Sequence, residues 1–321
     1  MTKAVTPTGQ NDIFQRFLRI ARPFFIILGA VILLILVRKI GWSNFAFIVT
    51  HLAPGYILLA ILAWLMNLMV AAQRCKSLAA PHLKYFRVFE VVLVSYLLNY
   101  GSAVQGVGIG ARVGLLKGEQ VAVARSLAGT GAEVIFDLIF TVSVTMIFAM
   151  ESGFGKARLG EIHSWPFIMG ALVGLGVLFV IFYLSRRGGF WGRFTEGLKE
   201  AMALRRFALN LLYTAAIWIL AAASFYFILR AAGAHFNPLW TPAALAVGFV
   251  FGLVSLVPGG LGVRDVSWVY VLSLGGVPLK TSGTAALFMR FLYIATVALL
   301  VFIIGLMRRR LEERERNGRS V

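Results

Sequence analysis

The chain has 321 residues, of which 60% are hydrophobic and only 14% are charged. This composition excludes an ordinary soluble domain, and apolar runs of about 20 residues recur along the whole length, as is typical of a membrane protein with many spans. The formal net charge of +18 does not predict nucleic-acid binding. The lysines and arginines cluster at the ends of apolar runs, where they set orientation in the membrane and meet anionic lipid head groups.

In chain order, the apolar runs predict six full spans. A polar arm, residues 1–21, precedes the first span and a polar tail, residues 308–321, follows the last. Both are too short to fold alone, so residues 22–307 are predicted to form a single transmembrane domain. The predicted spans are residues 23–41, 53–72, 121–150, 165–184, 207–230 and 284–307.

Two further apolar runs, residues 88–104 and 242–257, give way to glycine-rich sequence. A full crossing at 88–104 would place the basic segment 185–206 outside, against the rule that lysine and arginine gather on the cytoplasmic side. The conflict disappears if residues 88–118 form a re-entrant hairpin from the cytoplasmic side and residues 242–282 form one from the outer side. The alternative is eight plain spans, with the positive-inside rule violated once.

With two re-entrant hairpins, the two halves of the chain run in opposite senses. Repeat 1 covers about residues 53–150 and repeat 2 about residues 207–307, each with a span, a hairpin and a span. Such an inverted-topology repeat is a recurring design of secondary transporters. Irregular backbone at membrane depth is tolerated only against protein or a watery cavity, so we expect both hairpins to line a cavity. The cations place both termini in the cytoplasm.

Nearly the same motif stands in both hairpins: glycine, aliphatic residue, glycine, small or aliphatic residue, arginine. It runs from Gly108 to Arg112 and again from Gly260 to Arg264. Glycine-broken apolar segments at matching places in two halves point to a transporter's binding site. Glycines permit tight turns and close approach of a ligand, and free amides at a helix N-terminus favour an anion. The candidate backbone and turn residues are Gly108, Gly110, Pro258, Gly259, Gly260 and Gly262.

Charged residues within the apolar segments supply the candidate binding site, because such residues are costly in a bilayer and usually face the protein interior. Asp137 follows Arg112 by 25 residues, and Arg290 follows Arg264 by 26. We expect Glu133 and Asp137 to face the arginines of the second half in one neutralised cluster. Such a cluster can hold a lipid phosphate through bidentate arginine contacts. The candidate substrate-binding residues are Arg112, Glu133, Asp137, Arg264, Asp265, Arg290 and Tyr293.

Two other interpretations of these charges stay open. Arg290 lies about two turns from the start of its span, from which its side chain can reach outward to the membrane surface. Glu133 and Asp137 lie four residues apart on one helix face, where they can form a structural ion pair with Arg125 or Arg112.

The sequence also lacks the motifs of several other kinds of site. Cys75 is its one cysteine, which excludes an internal disulfide, and the four histidines lack metal-ligand spacing. We therefore predict no metal site and no cofactor. A P-loop, a nucleophile elbow and a zinc motif are all missing from the sequence, so the chain is not expected to be an enzyme.

At these residues the chain resembles a known family. The run from Leu256 to Asp265, then Gly275-Gly276-Val277, then Arg290 with Tyr293, is similar to the second signature of the lysylphosphatidylglycerol synthase transmembrane-region family. This family includes the flippase domain of bacterial multiple-peptide-resistance proteins. The resemblance covers about residues 15–310. The residues that are similar to the family's first signature are Asn99, Gly108, Gly110, Arg112, Ala124, Glu133 and Asp137.

The resemblance implies movement of a lipid between the leaflets of a bacterial inner membrane. The substrate would be an anionic, aminoacylated or glycosylated envelope lipid. Arg112, Arg264 and Arg290 would contact its phosphate, and the acids would balance charge or relay ions. Full-length synthases carry a soluble aminoacyl-transferase domain after the membrane region. This chain ends about 14 residues after its last predicted span, so we do not expect it to make aminoacyl lipids by that route.

Two functions from other classes stay open. One is an intramembrane enzyme acting on a lipid-linked substrate, with Glu133 and Asp137 as acid and base. The other is a scaffold subunit of an envelope-lipid biosynthesis complex. The partners expected on this basis are membrane lipids and envelope-lipid biosynthetic enzymes, without nucleic acid.

Overall fold

The computed structural model describes Arg38 and residues 50–101, 107–151, 189–254 and 262–318. Within this part the chain forms nine helices and no strand, in agreement with the predicted all-α fold. The predicted spans 23–41 and 165–184 lie outside it except for Arg38, as do the turn candidates Pro258, Gly259 and Gly260. The helices are α1 Pro54–Ala79, α2 Tyr85–Gly101, α3 Val107–Gly118, α4 Val123–Glu151, α5 Phe190–Ala201, α6 Leu204–Ala231, α7 Trp240–Val254, α8 Val263–Leu274 and α9 Leu279–Gly318.

Four of the described helices are long and apolar enough to cross a membrane, and they correspond to four of the predicted spans. Two of these helices are longer than predicted. Helix α1 was expected to end at residue 72, but it continues to Ala79 and carries Arg74 inside it. Helix α9 continues to Gly318, so most of the predicted polar tail is helical. The membrane-length segments are Pro54–Ala79, Val123–Thr145, Leu204–Ala231 and Leu279–Met307.

Two pairs of shorter helices separate the long ones. Helices α2 and α3 have 17 and 12 residues, and α7 and α8 have 15 and 12. At 1.5 Å per residue, the described residues of these helices extend over about 18 to 25 Å each. Arg87, at the start of α2, donates to Glu119, just after α3, at 2.6 Å. Trp240, at the start of α7, lies against Gly275, just after α8. In each pair, the start of the first helix and the end of the second helix, here called the outer ends, therefore lie close together.

The packing of one half of the chain reappears in the other. Helix α1 packs beside α6, and the Ala53 amide donates to the Ala231 carbonyl at 3.1 Å. Helix α1 also contacts α4 as α6 contacts α9, and α3 contacts α4 as α8 contacts α9. Helix α2 contacts α9, and its counterpart α7 contacts α4. The helix contacts are thus preserved when the two halves are exchanged.

Glycines allow the short helices of each pair to approach closely. A Cβ atom on Gly108 of α3 would lie 2.6 Å from the Ser95 carbonyl oxygen of α2. A Cβ atom on Gly248 of α7 would collide with the indole nitrogen of Trp268 on α8. Because real Cβ contacts are longer than this, each pair needs a residue without a side chain at its crossing.

The predicted loop 185–206 contains a further helix, α5, which is amphipathic. Its Phe194 and Leu198 side chains pack toward α4 and α6, whereas Arg193 and Glu196 are exposed. At its end, Glu200 forms ion pairs with α4 and α6, through Arg125 at 3.2 Å and Arg206 at 2.6 Å. The hydrogen bond from Arg206 lowers the pKa of Glu200. Helix α5 is thus fastened across the adjoining ends of the two long helices.

Candidate functional site

A cavity of about 350 Å³ lies among the described helices α1 to α4 and α6 to α8. Both glycine motifs reach it, the first through Gly108 and Arg112 and the second through Arg264. Its lining combines large aromatic rings with buried charge. The charged residues of the lining are Arg74, Arg112, Glu133, Asp137 and Arg264.

Arg74 lies at the centre of the polar network in this cavity. Its Nη1 donates to Asp137 Oδ1 at 2.8 Å and to Thr214 Oγ1 at 3.0 Å, and its Nη2 donates to Asp137 Oδ2 at 3.3 Å. The same Nη2 lies 3.8 Å from Glu133 Oε2. The side chain is only 6% exposed. A rigid guanidinium fork can contact two carboxylates at once, and the four-residue spacing puts both carboxylates on one face of α4.

The second acid of α4 has its own arginine. Arg112 of α3 donates to Glu133 Oε2 at 2.7 Å, while Trp218 of α6 donates its indole N–H to Asp137 Oδ1 at 3.2 Å. Glu133 and Asp137 therefore share the cavity with Arg264 as expected, but the arginines that form ion pairs with them are Arg74 and Arg112. The expected partner Arg290 pairs with Asp265 instead. Spacing along the chain suggested pairing with the arginines of the second half, but α4 presents its acids to α1, α3 and α6. Of the alternatives, the Arg112–Glu133 ion pair is present, whereas Arg125 pairs with Glu200.

Arg264 differs from the other two arginines of the cavity. Its guanidinium lies over the ring of Trp268, 4.7 Å from the ring centroid. Its Nε is buried without a hydrogen-bond acceptor, and no carboxylate of the described residues forms an ion pair with it. In the described part of the lining, three guanidinium groups therefore face two carboxylates.

The remaining candidates of the second half lie behind the cavity wall. Asp265 is fully buried, and its Oδ1 accepts from Arg290 Nε at 2.6 Å. Its Oδ2 accepts from the Gly262 amide at 3.0 Å, which caps the start of α8. Gly262 has φ of 78°, a conformation that favours glycine. Arg290 is 8% exposed, so it does not extend outward to the membrane surface. Tyr293 stacks on Trp64, and only Trp64 lines the cavity.

Each half thus holds one ion pair between a short and a long helix, but the helix that supplies the acid differs between the halves. In the first half the short helix α3 supplies the base, Arg112, and the long helix α4 supplies the acid, Glu133. In the second half the short helix α8 supplies the acid, Asp265, and the long helix α9 supplies the base, Arg290. Each pair fastens the second short helix of its half to the long helix that follows.

The two glycines of the first motif have different surroundings. Gly108 is buried and lines the cavity, where it packs against α2. Gly110 is exposed, and a Cβ atom placed there would meet nothing within 4 Å. Only the first of the two is required by the packing of the helices.

Sequence reasoning missed Arg74, because it lies beyond the predicted span 53–72, in residues 73–87 that were expected to form a cytoplasmic loop. Arg74 and Lys76 lower the local hydropathy, so the predicted span ended before them, although apolar residues continue at helical spacing through Cys75 and Leu78. A second signal was Asn67, seven residues before Arg74 and therefore on the same helix face. Both side chains line the cavity. The other missed polar residues of the site are Ser95 and Thr214, whereas Asn99, a residue of the first family signature, also lines the cavity.

The model of the family described as lysylphosphatidylglycerol synthase TM region matches residues 22–301 of this chain. The match covers nearly all of the chain, including both glycine motifs and every charged residue of the cavity. The resemblance inferred from the signature residues is therefore confirmed. No curated protein matches the chain.

Proposed function

Because the chain belongs to the lysylphosphatidylglycerol synthase transmembrane-region family, we propose that it moves a lipid between the leaflets of a bacterial inner membrane. The lipid carries a phosphate in its head group and is an anionic, aminoacylated or glycosylated lipid of the cell envelope. The observation that carries this proposal is Arg264, a cation without an acidic partner among the described residues, facing a cavity shared by both halves.

Charge balance supports a phosphate in this cavity. A cation removed from water is costly unless an anion compensates it, and the carboxylates of the described lining are already held by Arg74 and Arg112. A phosphodiester oxygen beside Arg264 supplies the missing anion, and a planar guanidinium stacked on Trp268 is oriented for such contacts. Arg112 is the second phosphate contact, since it lines the same cavity. Arg290, held by Asp265, positions α8 instead.

We further propose that the helix pairs α2–α3 and α7–α8 are re-entrant hairpins that enter from opposite sides of the membrane. Two observations support this topology: the outer ends of each pair lie together, and the helix contacts are preserved on exchange of the halves. Both termini then lie in the cytoplasm. Rocking of one half against the other would open the cavity to each leaflet in turn.

In this proposal the protein does no chemistry on the lipid, and envelope-lipid biosynthetic enzymes supply or consume it. Glu133 and Asp137 each accept a hydrogen bond from an arginine. That arrangement suits the holding of charge more than the abstraction of a proton. The alternatives, an intramembrane enzyme and a scaffold subunit, make different predictions in the same experiment.

The test is lipid movement in vesicles that contain the purified protein and a fluorescent phosphatidylglycerol. We expect the wild type to equilibrate the lipid between leaflets and Arg264→Ala to slow this at least about tenfold, a loss of roughly 1.4 kcal/mol. Arg205→Ala, which removes an exposed arginine at the start of α6, is the matched control and should retain the wild-type rate.

Each other outcome has a definite meaning. An Arg264→Ala variant that moves lipid at the wild-type rate removes this residue from the site. A lipid that leaves the vesicles with a changed mass indicates an enzyme. A wild-type protein that moves no lipid contradicts the transport proposal and leaves the scaffold function.

A further inference from the structure

A second cavity, of about 430 Å³, adjoins the first at Trp218 and has an almost wholly apolar lining. It lies between α4 and α6, and Pro238, Leu239 and Pro242 at the start of α7 line one end of it. The cavity is partly open, and its lining includes the exposed side chains of Ile147 and Ile219. Apolar cavities stay dry and take apolar ligands, since water finds no hydrogen-bond partners there. Its other principal lining residues are Phe140, Val144, Phe148, Ala222, Ala223 and Tyr226.

The side chain of Trp218 lines both cavities. Its indole N–H donates to Asp137 in the polar cavity. Its ring lies beside Phe140 of the apolar cavity and Phe249 of the polar one, with centroid distances of 5.5 and 5.8 Å. Tryptophan suits such a boundary because it presents a large apolar ring and a single polar group. The two cavities therefore meet at one side chain, polar on one side and apolar on the other.

The apolar cavity runs along the helices. Its lining extends from Trp218 to Tyr226 on α6 and from Phe140 to Phe148 on α4. Eight residues of helix correspond to about 12 Å. Helices α4 and α6 both contain membrane-length segments, so this direction is also that of the lipid chains in a bilayer.

We propose that the apolar cavity holds an acyl chain of the same lipid whose phosphate lies beside Arg264 in the polar cavity. The proposal rests on the proposed function and adds a second point of recognition to it. The protein then binds a whole lipid, with the head group on one side of Trp218 and a chain on the other. A water-soluble head group alone fills only half of the site.

The test compares two probes on the full-length protein in nanodiscs of zwitterionic lipid: long-chain phosphatidylglycerol and water-soluble glycerophosphoglycerol. Ala223→Trp places a bulky ring in the apolar cavity. We expect it to weaken binding of the long-chain lipid at least about tenfold and to leave binding of the soluble head group unchanged. The matched control is Leu212→Trp, at a position of the same helix that is 68% exposed and outside both cavities. It should change neither affinity.

A second measurement needs no variant. Phosphatidylglycerol with a photoactivatable diazirine in one chain should label wild-type peptides that contain residues 140–148 or 219–226, and unlabelled long-chain lipid should compete. Unchanged binding of the long-chain lipid to Ala223→Trp would overturn the proposal. So would chemical cross-linking of the cavity residues to a second copy of the chain, or to residues 165–184, in place of lipid labelling.

Failure of the proposed function gives a different result. In that case the wild-type protein moves no fluorescent phosphatidylglycerol between leaflets in the vesicle assay, a measurement separate from the binding of either probe. If the diazirine lipid still labels the cavity peptides, and unlabelled long-chain lipid reduces that labelling, the apolar cavity remains supported as a site for an acyl chain.

Discussion

Arg74 holds both acids of α4 in position within the cavity. Its guanidinium donates twice to Asp137 and lies within 4 Å of Glu133. Glu133 has a second arginine, whereas the one other described donor to the Asp137 carboxylate is Trp218. Removal of one member of a buried ion pair leaves the other charge uncompensated, which costs more than the pair itself contributes.

We therefore expect Arg74→Met to lower the free energy of unfolding by about 3–5 kcal/mol. Adding Asp137→Asn should recover part of this loss, because the second change removes the charge that was left unpaired. Chemical unfolding of the purified protein in micelles measures both effects. A double variant no more stable than Arg74→Met would show that Asp137 is not the group whose charge matters.

The chemistry of the site was predictable from the sequence, but its pairing was not. Glu133, Asp137, Arg112 and Arg264 were identified because charge is rare in apolar segments, and all four line the cavity. Their partners depend on which helices touch, and that information is not contained in spacing along the chain. Arg74 escaped notice because hydropathy falls near the end of a span even where the helix continues.

At the scale of elements, the first glycine motif contains one glycine that helix packing requires and one that it does not. Gly108 lies at the crossing of α2 and α3, where the Ser95 carbonyl oxygen and Asn99 Cβ leave no room for a methyl group. Gly110, one half-turn further along α3, faces open space. Both lie within the helix, where glycine is less favourable than alanine by about 1 kcal/mol.

Alanine at these two positions should therefore have opposite effects. Gly108→Ala should lower the stability by about 1–3 kcal/mol, because the added methyl group forces α3 away from α2. Gly110→Ala should leave it unchanged or raise it by up to about 1 kcal/mol. Unfolding midpoints of the two variants decide the matter, and equal destabilisation by both would contradict the described crossing.

Long elements were easier to predict than short ones. The runs 53–72, 121–150, 207–230 and 284–307 predicted helices because about 20 apolar residues in sequence have few other structures available in a membrane. Helix α5 was missed because its alternation of aromatic and charged residues was counted as a basic loop. Periodicity at 3.6 residues, applied to residues 190–201, would have identified it.

At the scale of the whole molecule, the proposed topology concerns where the ends of the two hairpins lie. The start and end of the first hairpin are joined by the Arg87–Glu119 ion pair, and those of the second by Trp240 against Gly275. In a chain with eight plain spans, the two ends of each such segment lie on opposite sides of the membrane. The two topologies are therefore distinguishable by labelling.

We expect cysteines at Lys84 and Lys117 both to be protected from a membrane-impermeant maleimide in intact cells, and cysteines at His235 and Lys280 both to react. Cys75 is buried, so the background of the unmodified chain is low. After permeabilisation all four positions should react, which controls for burial. Reaction at position 117 together with protection at position 235 would establish eight plain spans and remove the inverted repeat.

The distribution of the ion pairs bears on how the protein is made. Arg74, Arg112, Glu133 and Asp137 neutralise one another within the first half, and Asp265 and Arg290 do so within the second. Contacts between the halves at this network come from neutral groups, Thr214 and Trp218. A nascent chain that emerges from the ribosome N-terminus first can thus neutralise these four charges in the bilayer before the later helices have been translated.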